Sequence, residues 1–115
     1  MIPADARKLV ELLRHRSESE QVNWILADES DIEAISASGE DDYVASWPEY
    51  SVNIWAKDTE GIGFAIVNSD GRQVMYFVLT SQDEDYETMR TILELARRKA
   101  RGADKALQYL ERQLA

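Results

Sequence analysis

Apolar residues recur at helical spacing near the start of the chain, at strand spacing through its middle, and at helical spacing again toward its end. Ala6, Leu9, Val10 and Leu13 fall on one helical face, and Pro3 suits the first turn of a helix. The spacing predicts a helix from about Pro3 to Arg16, ended by the polar stretch Ser17-Glu18-Ser19-Glu20-Gln21.

From Val22 to Thr80 short apolar or alternating runs are separated by polar turns. The expected strands are Val22–Leu26, Asp31–Ala37, Tyr43–Trp47, Tyr50–Lys57, Ile62–Asn68 and Gln73–Thr80. Val52, Ile54 and Ala56 alternate with Ser51, Asn53 and Trp55, the period of a half-buried strand. Asn68-Ser69-Asp70-Gly71-Arg72 reads as a hairpin turn, because Asp-Gly accepts the positive φ such turns need. Gly39 with Glu40, Asp41 and Asp42 marks another turn, and Trp47-Pro48-Glu49-Tyr50 a third. No helical segment separates the strands, so they are expected to form an antiparallel meander.

The period returns to 3.6 after Ser81. Ser81 and Glu84 have capping-box spacing, and Asp83, Glu84, Asp85 and Glu87 favour a helix start electrostatically. Tyr86, Met89, Leu93, Ala96 and Ala100 form one apolar stripe, which Gly102 is placed to end. Ala103, Ala106, Leu107, Leu110 and Leu114 form the stripe of a last short helix. The expected fold is α+β: an N-terminal helix, an antiparallel meander of five or six strands, and two C-terminal helices packed on the sheet.

At 115 residues and 44% hydrophobic the chain suits one domain, 1–115, with one modest core. With no cysteine, disulfides, thiolate metal sites and thiol catalysis are excluded. The apolar runs are too short to span a membrane, and Met1-Ile2-Pro3-Ala4-Asp5 lacks the basic-then-apolar pattern of a secretion signal, so a cytoplasmic location is expected. The many aromatics and the two C-terminal apolar stripes predict a homodimer or larger assembly.

The net charge of −9 is unevenly placed. Residues 17 to 60 hold twelve acids against Lys57 alone, giving −11, whereas residues 90 to 115 carry +4. Duplex nucleic acid is not expected to bind, since that requires a broad basic face, but one small anion or a basic protein partner is compatible.

No residue pattern reads as catalytic, and no cofactor or metal is expected. His15, the only histidine, sits between Arg14 and Arg16 at a helix end and reads as solvated. Asp28, Glu29, Asp31 and Glu33 are dense but match no calcium loop, and read as a solvated acidic face. Trp55 shares a polar strand face with Ser51 and Asn53, so exposure or a role in binding is expected there. Arg90, Arg97 and Arg101 fall in one narrow helical stripe. Such a stripe suits either bidentate binding of a phosphate or carboxylate ligand, or salt bridges to the acidic sheet.

The segment Tyr86 to Ala106, centred on Glu94-Leu95-Ala96-Arg97-Arg98-Lys99-Ala100-Arg101-Gly102-Ala103-Asp104, follows sheet segments Glu40-Asp41-Asp42-Tyr43, Tyr50-Ser51-Val52-Asn53-Ile54 and Asn68-Ser69-Asp70-Gly71. This order resembles small proteins of phages and mobile elements, and in plan it is similar to the anti-Thoeris sponge proteins, which trap cyclic nucleotide signals of bacterial defence. The resemblance extends over nearly the whole chain. It implies arginines of the C-terminal helix facing aromatics and an asparagine of the sheet: Arg90, Arg97 and Arg101 with Asn53, Trp55 and Phe64. It also implies a non-catalytic protein of a bacterial or phage-infected cell that sequesters a nucleotide-like signal. The acidic middle leaves a second class open, an interaction module (defence inhibitor, nucleic-acid mimic, immunity protein or chaperone) that docks on a basic protein.

Overall fold

The structure, a computed structural model, describes residues 2–27, 41–57 and 61–115. A 3-10 turn at Ala4–Ala6 leads into α1 (Arg7–Glu18). The strands are β1 (Ile25–Leu26), β2 (Asp42–Ser46), β3 (Tyr50–Lys57), β4 (Gly61–Asn68) and β5 (Gln73–Thr80). They are followed by α2 (Tyr86–Arg101) and α3 (Ala103–Leu114). Each strand pairs antiparallel with the next, in the order β1-β2-β3-β4-β5. The fold is the expected α+β arrangement of an N-terminal helix, an antiparallel meander and two C-terminal helices.

Three local expectations are corrected. The first helix starts as a 3-10 turn and runs on to Glu18. The segment Val22–Leu26 pairs only at Ile25 and Leu26, because Val22 and Trp24 turn into the core, where the indole Nε1 of Trp24 donates to Ser17 Oγ at 3.0 Å. Ser81 and Glu84 do not cap α2. Its N-cap position is Asp85, while Asp83 closes the preceding turn by accepting from the Thr80 backbone N–H at 2.8 Å. The expected strand Asp31–Ala37 lies outside the described residues.

The strand register divides the sheet into two faces. Tyr43, Ile54, Phe64 and Phe77 lie in one cross-strand row, flanked by Val52 and Ile66 on one side and by Ile62 and Leu79 on the other. This face packs on Val10 and Leu13 of α1 and on Met89, Ile92, Leu93 and Ala96 of α2. Helices α1 and α2 lie side by side with their N-termini together, held by Asp85, which accepts from the Ile2 backbone N–H at 3.3 Å and pairs with Arg7 at 3.2 Å.

The β4–β5 hairpin turns as its sequence requires. Gly71 has φ +82°, and Asn68 Oδ1 accepts from the N–H groups of Asp70 and Arg72. A register shift follows, with Ile66 opposite Met75 but Val67 opposite Gln73. Bulges re-aim side chains, and this one brings Val74, between those two partners, to the helical side of the sheet.

Gly102, at φ +72°, ends α2 and joins it directly to α3. α3 carries a full apolar stripe, but Leu107 and Leu110 are half exposed and Leu114 is 86% exposed. The molecule is correspondingly elongated, 47 × 32 × 26 Å.

Candidate functional site

Of the three arginines in the α2 stripe, two converge on a single carboxylate. Asp41 stands just before β2, and Arg97 grips it in fork geometry: Nε donates to Oδ1 at 3.0 Å and the second nitrogen to Oδ2. Arg101 lies 3.7 Å from the same Oδ1, with its guanidinium 5.9 Å from the centre of the Tyr43 ring. The Tyr43 hydroxyl donates to Asp41 Oδ1 at 2.6 Å. Arg90 does not join them, since it pairs along its own helix with Glu87 and Glu94.

This cluster sets two ionisations. Burial opposes the charge on Asp41, but hydrogen bonds from Arg97 and Tyr43, with the charges of Arg97 and Arg101, outweigh it and hold the carboxyl below its ordinary 3.8. Burial first, and then the hydrogen bond to Asp41, push the Tyr43 hydroxyl up to about 12 from 10.0.

A folded-state value above the unfolded one favours the protonated form. Tyr43 therefore contributes stability that is complete below pH 10 and is lost as pH rises toward 12. Two units correspond to about 2–3 kcal/mol. Guanidinium titrations at about pH 8 and about pH 11 should show wild type losing about 1–1.5 kcal/mol more than Tyr43→Phe, which cannot ionise there, because pH 11 lies midway between the two values and only half of the full difference is lost by then. Equal losses in the two proteins would refute the assignment. Asp41 has the opposite sign: its contribution is present above pH 3.8 and is lost as pH falls.

The three sheet residues do not meet the arginines. Phe64 is fully buried in the core and stacks on Phe77 with ring centroids 5.0 Å apart. Asn53 and Trp55 belong to the opposite face. Asn53 is 2% exposed and donates through Nδ2 to Asp42 Oδ1 and to the Tyr43 carbonyl. Trp55, expected to be exposed, is 4% exposed; its indole lies against Gly63 on β4, and its ring is tilted 35° to that of Tyr76 at a centroid distance of 5.7 Å. His15 is exposed on α1, as expected, and the acids Asp28, Glu29, Asp31 and Glu33 lie outside the described residues.

A large concavity formed by described residues was not marked in the sequence. It is an apolar groove of about 690 Å³ between α1 and the end of the sheet. Leu9, Leu12, Leu13 and Arg16 of α1 form one wall, and Val52, Ile66 and the bulged Val74 form the floor. Trp47 and Tyr50, on either side of the Pro48 turn, form the far rim and are each 49% exposed. Leu12 was the available signal: it broadens the α1 stripe beyond what the core needs, and it too is 49% exposed.

A second cleft, of about 480 Å³, lies where α2 meets α3 beside Asn23, Trp24 and Ile25. Four cations line it, Arg98, Lys99, Arg101 and Lys105, against Glu20.

Among the described residues no group of three or more His, Asp or Glu could hold a metal ion, and no helix is long and apolar enough to cross a membrane. The arrangement offers apolar burial at one place and cationic contacts at another. No family model matches the chain, and no curated protein or solved structure is significantly similar to it.

Proposed function

We propose that the chain is a non-catalytic protein-interaction module whose groove beside α1 receives the apolar face of an amphipathic helix. The groove carries this reading. A large pocket with apolar walls and a few polar groups at its rim is the usual form of a binding site, and helix-in-groove docking is a recurrent mode of recognition. Arg16 and Gln21 supply the polar rim. The net charge of −9 would speed the approach of a basic partner. A module of this kind acts by occupancy, as an inhibitor of a defence component or a chaperone does.

The test is titration of a synthetic helical peptide with leucines at positions i, i+3 and i+7 and lysines elsewhere, followed through Trp47 fluorescence. Leu12→Glu should weaken binding roughly ten- to hundredfold, because one leucine is worth about 1.5–3 kcal/mol when fully covered. The midpoint of thermal unfolding should hardly move, since Leu12 is half exposed. A wild type that binds no such peptide would remove the support for this reading.

A second reading, sequestration of a nucleotide-like anion, is favoured by one observation, the basic cleft between α2 and α3. At Arg97 an incoming phosphate would have to displace Asp41, with which Arg101 also pairs, whereas the cleft offers Lys99 and Lys105. Calorimetric titration of cyclic dinucleotides should give binding that Lys105→Ala weakens about tenfold. No heat with wild type would dispose of this reading.

A further inference from the structure

The same chain holds an open apolar groove and an uncovered apolar helix. The helical layer on the sheet consists of α1 and α2, and the corner over Val52, Ile66 and Val74 is left as a slot beside α1. α3 presents Leu107, Leu110 and Leu114 at helical spacing, all half exposed or more. Its own groove is out of reach. α3 follows Gly102, beside Asn23 and Arg98, on the α2 side of α1, and no residue of α2 or α3 lines the groove.

We propose that the occupant of the groove is α3 of a second copy, exchanged reciprocally across a two-fold axis. The inference rests on the groove being a helix-binding site, as argued above. Area decides for reciprocity. A helix of 12 residues is about 18 Å long and about 10 Å wide, so seating half its lateral surface buries about 280 Å² on the helix and a similar area of groove. One insertion totals about 570 Å², below the roughly 1,000 Å² that a specific interface needs, while two insertions reach about 1,100 Å². Charge agrees. Glu111 lies one helical turn from Leu107 on α3 and can meet Arg16 on the groove rim, and Arg112 can meet Glu49 in the turn between Trp47 and Tyr50.

The experiment measures mass in solution for wild type, Leu12→Asp (groove) and Leu110→Asp (helix). Circular dichroism confirms that each remains folded, as both side chains are about half exposed. Wild type should run at twice 13.1 kDa at micromolar concentration. Each variant alone should dissociate with a constant raised a hundredfold or more, because both symmetric contacts are hit. An equimolar mixture of the two variants should re-form dimers more tightly than either variant alone, since one intact helix meets one intact groove.

A monomeric wild type overturns the proposal. So does a Leu12→Asp protein that stays dimeric while Leu110→Asp does not, which would mean that α3 pairs with α3. The leucine–lysine peptide separates this failure from failure of the groove reading. If it binds Leu110→Asp at the Trp47 rim while wild type is monomeric, the groove takes the helix of a different protein. If it does not bind, both readings fall.

Discussion

Phe64→Ala is expected to lower the free energy of unfolding by about 3–5 kcal/mol, the usual range for deleting a buried aromatic ring. Phe64 is fully buried, at the centre of the cross-strand row that includes Ile54 and Phe77, and its ring stacks on Phe77 at 5.0 Å. The surroundings are the floor of the sheet and the α2 side chains above it, so the cavity cannot close without moving secondary structure. The substitution also tests the sequence-derived role of Phe64 as a ligand contact. A ligand contact at the surface would cost binding and leave stability within about 0.5 kcal/mol. Urea titration of the variant, read by circular dichroism, distinguishes the two. A loss below about 1 kcal/mol would mean that the ring is not a core element.

Gly63→Ala is expected to cost about 3 kcal/mol, the upper part of the range for overpacking. Intrinsic preference points the other way, since glycine inside a strand is worse than alanine by roughly 0.5–1 kcal/mol. Packing decides the sign. A Cβ built on Gly63 would sit inside the Trp55 indole, at Cε2, Cζ2 and Nε1, so the ring must leave its seat. Displacing it breaks its contact with Tyr76 and exposes a surface that is now 96% covered. The check is a double-mutant cycle. In a Trp55→Ala background the same Gly63→Ala change should cost less than about 0.5 kcal/mol, leaving a coupling of about 2–3 kcal/mol. Additive effects would show that the two positions do not oppose each other as the register places them.

Several features were legible because their causes are local. The alternation along Tyr50–Lys57 and Gln73–Thr80 set those strands without adjustment, and Asn68 to Arg72 turned as Asp-Gly demands. Gly102 ended α2 through its positive φ, and the stripe of Met89, Leu93 and Ala96 faced the core. Elsewhere local signals competed with packing. The Ser81–Glu84 spacing resembled a cap, yet Asp83 reached back to Thr80 and the helix began at Tyr86. Val22 and Trp24 alternated as in a strand, yet burial of both side chains and the bond to Ser17 bent the chain before pairing began.

The period of the apolar pattern thus determined the order and nature of the elements, because hydrogen bonding and side-chain direction repeat within each segment. The stripe of Arg90, Arg97 and Arg101 was equally visible, but its partner was not. Asp41 lies 56 residues from Arg97, and only the angle of α2 across β2 brings them together. Trp55 carried the pattern of an exposed residue. Its seat against β4 depends on the residue opposite it being a glycine, which is a matter of register between strands. The groove has the same origin, because it exists where α1 diverges from the end of the sheet and the bulge turns Val74 inward. Side-chain identity acts over one or two turns of chain, whereas the seating of helices on a twisted sheet depends on every contact in the core at once, and that seating decides which apolar surface is covered and which is left open.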